Sequence, residues 1–451
     1  MEDNKPLPQC QALISLLGAD KVFLPGNDGY NASVSSYFSP QAASVQPACF
    51  VTPKTADEVS SIVKLLTSPS PEGDEPIPFA VRGGGHTWFV GANSAPDGIT
   101  VDLRGLDSVE LSADKSTITV GAGVTWDAIY SKLDPLGLSV AGGRIAGVGV
   151  AGLTLGGSNN LGIVTSLTFR TFEQGPLWSS MSFNPLTEVD NQIRIYAQLM
   201  AAETYDANAS FLTGWAFVGA LGATVALNQL TYTRPVGREN PALYQPILAL
   251  PDALPALATP PVVANMSTMA QSGTAFQPRQ AARYMTVPTC FEPTEAMMRA
   301  AHDAFLASVP LVRDVPGIKW AVNNEPLPPS LYCNAHNGAG RTNALGLAAA
   351  ASGRNVGKTL GLFLISPAWA DAAHDEQVYG AARTLIADIE KRAKELGVYD
   401  PYVYLDYAAP WQEVIRSYGE ESVKTLQALR QRVDPGQVFT HQVKGGFKIP
   451  L

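Results

Sequence analysis

Two glycine-rich segments constrain this chain more than any other feature. In the first, a short apolar run ending in Arg82 delivers the chain into Gly83-Gly84-Gly85 and then His86, one of five histidines. In the second, eight glycines fall between Gly142 and Gly162. Glycine has no Cβ, so such runs let another backbone or a ligand come close, and successive free N–H groups form a concave anion-binding nest. Neither segment has the G-x-x-x-x-G-K-[ST] order of a P-loop, and neither follows the strand–GxGxxG–helix order of a Rossmann site. Two readings stay open on this basis: plain turns, the commoner case, or a long diphosphate ligand held at several points.

A chain of 451 residues has material for ~2–3 domain-sized units. It is 46% hydrophobic and 16% charged with 40 glycines, the composition of a turn-rich globular protein. A net charge of -9 and the lack of any Lys/Arg run argue against a nucleic-acid partner. No apolar run of ~18 residues indicates a membrane span. The opening "MEDNKPLPQCQALISLLGAD" places acidic residues before a short apolar run, the wrong order for a signal peptide. Asn31, Asn208 and Asn265, each in an N-x-S sequon, point instead toward a secretory route. Cys10, Cys49, Cys290 and Cys333 show no C-x-x-C spacing, which argues against structural zinc or a thioredoxin-type pair. Cys10 falls on an expected first helix and Cys49 just before an expected strand. A disulfide in an oxidising compartment and free buried thiols are equally open.

Along the chain, "ACFVTP" reads as a strand, and Thr55 with Glu58 forms a capping box ahead of Val59, Ile62, Val63 and Leu66 at i, i+3, i+4, i+7. "IPFAV" and "ITVDL" are the next strands. Val109 and Leu111, then Ile118 and Val120, alternate as a hairpin around "ADKS". Thr125 is placed to cap a helix burying Trp126, Ile129, Tyr130 and Leu133. A strand then puts Ile163, Thr165, Leu167 and Phe169 on one face. From ~176 to ~400, strand-like runs such as "ASFLTGWAFV" and "ATVALNQLTYT" mix with amphipathic helices, a second region of α+β type. The clearest helix there ends at Gly397 as its C-cap.

A lone histidine after a glycine loop is by default a hydrogen-bonded structural imidazole. The alternative is nucleophilic: neutral imidazole can attack the electrophilic 8α-methyl of an oxidised flavin and tether it. A neighbouring nest for the pyrophosphate favours that alternative.

The segments "RGGGH", "GGRIAGVGVAGLTLGG", "GSNNLGIVTSLTFRTFEQG", "YLDYAAPWQEVIRSYG" and "RVDPGQVFTHQVKGGFKI" together resemble the berberine-bridge-enzyme-like FAD-linked oxidases of fungal secondary metabolism. The likeness covers the first ~175 and last ~50 residues well and the middle loosely. It implies an α+β fold, with a PCMH-type (VAO-like) FAD-binding domain over 1–175, a substrate domain of antiparallel sheet and helices over 176–400, and a return to the FAD-binding domain over 401–451. Carried over by position, Arg82, Gly83, Gly84, Gly85, His86 and Thr87 would wrap the FAD diphosphate, with His86 bearing an 8α-histidyl bond. Gly142, Gly143, Gly147, Val148, Gly149 and Gly152 would line the ribityl chain and diphosphate, and Gly162, Ile163 and Val164 the adenosine end. Ile145 stands where many relatives hold a second flavin-linking cysteine, so a single covalent link is expected.

Two departures from the family pattern stand out. Gly156-Gly157 runs directly into Ser158 where relatives carry several dozen more residues, including strands beside the flavin. The gap should leave backbone groups and apolar side chains uncovered and weaken FAD binding. The tail motif, usually Y-x-N-Y, reads Tyr404-Leu405-Asp406-Tyr407, and an acid facing the flavin would repel its anionic reduced form unless protonated. The function implied is oxidation of an alcohol, amine or activated C–H by FAD, with O2 as acceptor and Tyr404 or Asp406 as base. The rival readings are a redox-neutral cyclase on the same scaffold and a flavin-free remnant. A monomer without metal is expected, and family and sequons together favour secretion.

Overall fold

The run Phe79-Ala80-Val81-Arg82 forms a strand buried along its whole length, in a computed structural model that describes residues 6–68, 76–234, 239–332, 344–347 and 357–451. Cys333 lies outside the described residues. Contacts divide the chain into unit 1, made of Met1–Gln174, Met266–Ala282 and Thr425–Leu451, and unit 2, made of Gly175–Asn265 and Arg283–Lys424. The segment Met266–Ala282, read from sequence as part of the middle domain, thus belongs with unit 1, and the C-terminal return falls at Thr425.

The first half of unit 1 is a sheet of β1 (Val22–Phe23), β2 (Cys49–Val51), β3 (Phe79–Arg82) and β4 (Ile99–Asp102), in the order β1-β2-β4-β3. β4 runs parallel to both β2 and β3, while β1 is antiparallel to β2. Parallel strands need a crossover, and helix Ala56–Thr67 follows β2 to supply it. Thr55 caps that helix, its Oγ1 accepting from Glu58 N at 3.2 Å. The return half of the capping box goes one residue further back, to Lys54 N at 2.6 Å. Cys10 of helix Pro8–Leu17 is disulfide-bonded to Cys49 of β2, which decides between the two readings of those cysteines.

The second half of unit 1 carries β5 (Val109–Leu111), β6 (Thr117–Gly121), the short strand β7 (Leu138–Ser139) and β8 (Ser166–Arg170). β5, β6 and β8 make a three-stranded antiparallel sheet. Helix Trp126–Leu133 buries the four residues expected of it. Thr125 makes no side-chain cap bond; its backbone instead bridges Gly149, so the helix start is set by the second glycine segment.

Unit 2 is built on one largely antiparallel sheet whose path runs Thr259–Ala264, Leu177–Asn184, Ala223–Tyr232, Ala209–Val218, Lys319–Leu327, Leu360–Ile365, Val287–Phe291, Tyr399–Asp400. The long helix Asp375–Glu395 ends as anticipated, with Gly397 at φ +69°. Among the described residues no helix is long and apolar enough to cross a membrane.

Candidate cofactor site

The two glycine segments meet. A Cβ on Gly84 would lie 2.6 Å from Gly149 N, and one on Gly149 would lie 2.5 Å from Gly84 N. Only a backbone without side chains can cross another this closely. The second segment is fixed from below, because Trp126 N donates to Val148 O at 3.1 Å and Val150 N to Val124 O at 2.9 Å. Gly142 and Gly143 lie against the Trp126 indole, which a Cβ on either would strike. Gly147, at φ +80°, donates its N–H to Asp127 at 2.8 Å. Gly152 and Gly162 have open space where a Cβ would stand. Ile163 packs on the first core, Val148 on the second, and Val164 is exposed.

Charge is concentrated where the first segment leaves β3. Arg82 is fully buried and donates to Ser33 O at 2.7 Å and Ser36 Oγ at 2.6 Å. Its partner carboxylate, Asp102, lies 3.6 Å away and is shared with Arg104 at 2.6 Å. Arg82 Nε, directly beneath Gly85, has no hydrogen-bond partner, and neither has buried Trp126 Nε1 beside Gly143. Burial of an unmet donor is costly. His86, followed by half-buried Thr87, stacks on Phe38 with ring centroids 4.0 Å apart. Burial, and the nearby Arg279 guanidinium, push its imidazole down to about 4, so it is neutral in ordinary buffers. A Cβ-free backbone crossing, two unmet buried donors and an unprotonated imidazole fit an elongated anionic cofactor approached at van der Waals distance.

The FAD binding domain family matches residues 47–169, which span the first glycine segment and almost all of the second half. The chain thus carries an FAD binding domain over these residues and is similar over nearly its whole length to fungal FAD-dependent monooxygenases. Its relatives include the oligopeptidase PhomG' of Diaporthe leptostromiformis, 33% identical over 466 residues and 97% of this chain. This chain spans only 37% of that protein's length, so a name belonging to the whole is not carried across. The FAD-dependent monooxygenase CTB5 of Cercospora beticola is 28% identical over 98% of this chain and 91% of its own. Among solved structures, berberine bridge enzyme, as a variant in complex with (S)-reticuline, superposes with a TM-score of 0.71 at 13% identity, over 98% of this chain and 99% of the other. The CTB5 alignment runs over 501 positions against 451 residues here, so the relative carries residues with no counterpart in this chain.

At Gly157–Ser158, where the family pattern locates the gap, the expectation of uncovered backbone needs correction. The C-terminal tail closes the junction. Phe447 N donates to Ser158 Oγ at 3.0 Å, Asn160 Nδ2 to Phe447 O at 2.8 Å, and Ile449 N to Asn160 Oδ1 at 2.9 Å. Lys448 Nζ, buried and pulled down to about 8, donates to Ser158 O at 2.7 Å. The apolar half of the expectation holds: Leu155, Val164 and Phe172 stand 52%, 38% and 45% exposed.

Tyr404 and Asp406 belong to unit 2, Tyr404 as the N-cap of the turn Leu405–Tyr407 and Asp406 within it. Burial lifts the Asp406 carboxyl to about 7, against the opposing hydrogen bond from Tyr404. Burial and Asp406 raise the Tyr404 phenol far above its usual range. Tyr407 Oη donates to Glu325 Oε1 at 3.4 Å. Unit 2 also holds a cavity of about 520 Å³ lined by Arg383, Tyr399, Trp411 and Arg416 among others. Trp411 and Arg416 come from the tail motif, but neither Tyr404 nor Asp406 nor any residue of the glycine segments lines this cavity. Two residues of unit 1 escaped the sequence reading, Phe38 and Arg279. Neither lies in a glycine-rich motif, and no local pattern marks them.

Proposed function

We propose that this chain oxidises a small organic substrate, an alcohol, an amine or an activated C–H, with O2 as electron acceptor, in fungal-type secondary metabolism. Bound FAD supplies the hydride acceptor. The observation that carries the proposal is the Gly84–Gly149 crossing with neutral His86 at its end. Arg82 to Thr87 and Gly142 to Gly152 line the cofactor, with Gly162 to Val164 at its adenosine end. His86 carries the single covalent link, since an imidazole held near 4 keeps its lone pair free. Asp406, held near 7, is the better base of the two tail candidates: about half is ionised at neutral pH, whereas the Tyr404 phenol stays protonated. Protonated Asp406 also meets the electrostatic objection raised by the Y-x-N-Y departure.

A visible spectrum before and after acid precipitation tests the reading. The expected result is flavin absorbance retained in the acid pellet, and acid-extractable flavin in His86→Ala. A colourless full-length protein, or wild-type flavin already extractable, overturns the assignment. Activity should rise as pH passes about 7, and Asp406→Asn should remove that limb. The name of CTB5 favours a second reading, insertion of one oxygen atom: label from ¹⁸O2 appearing in the product supports it, and turnover without O2 uptake supports the cyclase.

A further inference from the structure

Arg279 comes to the cradle from the segment Met266–Ala282, whose helix Met266–Gly273 packs on helix Trp126–Leu133. Its placement is fixed from behind. Nη1 donates to Ser36 O, across 243 residues of sequence. The next residue, Gln280, sits at φ +53°, a conformation L side chains seldom adopt. Gln280 donates through Nε2 to Ser35 O at 2.9 Å and Tyr37 O at 3.0 Å, and through its N–H to Phe38 O at 2.8 Å. Ser35 is the last residue of helix Asp28–Ser35 and Ser36 its C-cap, the end of a helix that favours a cation. From there Arg279 Nη2 reaches forward to Gly147, within 3.0 Å of where a Cβ would stand.

The local charge is unbalanced. One carboxylate, Asp102, serves both Arg82 and Arg104. The acid that acts on Arg279 from a distance, Asp127, already accepts from Gly147 N. Among the described residues Arg279 has no salt bridge. An exposed guanidinium tethered to backbone through Nη1, with Nη2 turned to the glycine segment at Gly147, is arranged for an oxyanion.

We propose that Arg279 is an anion-recognition residue of the cradle and pairs with the diphosphate of the nucleotide cofactor. The proposal rests on the reading that the cradle holds FAD, and it gives the middle of the chain a role in holding that cofactor.

The test measures reversible binding of FAD, ADP and riboflavin, by flavin fluorescence and calorimetry, to the full chain carrying His86→Ala. Arg279→Gln, whose amide can still donate to Ser36 O, should weaken FAD and ADP by roughly 10- to 100-fold, the scale of a charge-assisted pair. Riboflavin, which lacks phosphate, should change little, and Arg279→Lys should recover part of the loss. Equal losses for all three ligands, or no loss for any, overturn the proposal. If the parent binds ADP in an Arg279-dependent way but no flavin, Arg279 stands and the FAD reading falls. If it binds none of the three, both fall. Titration of His86 by NMR in the flavin-free, otherwise unaltered chain adds a readout independent of binding: Arg279→Gln should raise its pKa, and an unchanged value places the guanidinium elsewhere.

Discussion

The two halves of unit 1 do the same job with different completeness. In the first, β2, β3 and β4 are buried residue by residue. Helix Pro8–Leu17 contributes Cys10 and Leu13 to their core, helix Ala56–Thr67 contributes Val59, Ile62 and Leu66, and the C-terminal tail contributes Phe439 and Val443. In the second, β8 alternates between exposed and half-buried residues, and no further strand pairs with it beyond β6 among the described residues. The resemblance read from the sequence leads one to expect extra residues in this second half, next to Gly157. The comparison teaches how the less complete half is finished: Ser158, Asn160 and Lys448 keep the polar groups at the junction paired, while Leu155, Val164 and Phe172 stay exposed. Surface exposure is cheaper than a buried unmet donor, which costs roughly 1–3 kcal/mol.

The largest expected effect tests whether the first half owes its order to the Cys10–Cys49 bond as well as to its core. Both cysteines are fully buried, and the bond closes a loop with a sequence separation of 39. Replacing both cysteines with Ala should lower the stability of the folded chain by about 4 kcal/mol, on the chain-entropy account, as read by urea unfolding. A loss under about 1 kcal/mol would mean that the packed sheet carries the first half alone.

A smaller effect compares the halves directly with one chemical change. Phe79, on β3, is 1% exposed and meets Phe439 edge to face; Phe172, just after β8, is 45% exposed. Phe79→Ala should cost about 3 kcal/mol or more through the cavity left behind, and Phe172→Ala less than about 1 kcal/mol. Similar costs would show that the second half is covered in solution.

Much of unit 1 was legible in the sequence because its signals are local. The capping box at Thr55, the run into Arg82 and the inward face of helix Trp126–Leu133 all follow from spacing. The hairpin and its turn follow likewise, with Asp114 accepting from Ser112 and Ser116. What the sequence withheld depends on closure. Gly84 meeting Gly149, Phe38 stacking on His86 and Arg279 reaching Gly147 are contacts between distant residues with no shared periodicity. Asp406 reads as an ordinary acid until burial lifts it. The expectation of a gap at Gly157 came only from the family pattern, since a chain does not display what it lacks. That the tail would close it through Phe447, Lys448 and Ile449 required the fold.

The smallest effect probes His86, which the first half carries to the crossing with the second. Its imidazole is pushed down to about 4 by burial and by Arg279. A histidine whose folded value is depressed stabilises the fold while neutral, and that contribution is lost as pH falls below its unfolded value near 6.5 toward the folded one. Between about pH 7 and pH 5.5 the flavin-free chain should therefore lose about 1 kcal/mol more than His86→Asn, in which the titrating group is gone. His302, also depressed by burial, titrates alike in both chains and cancels. Asp406 has the opposite sign, because a raised carboxyl loses its contribution as pH rises from about 4 through about 7, and it too is common to both. Parallel stability curves for the two chains would mean that the imidazole is already open to water. The crossing would then be a loose meeting of two loops, and the second half would be incomplete at the cradle as well as at its outer sheet.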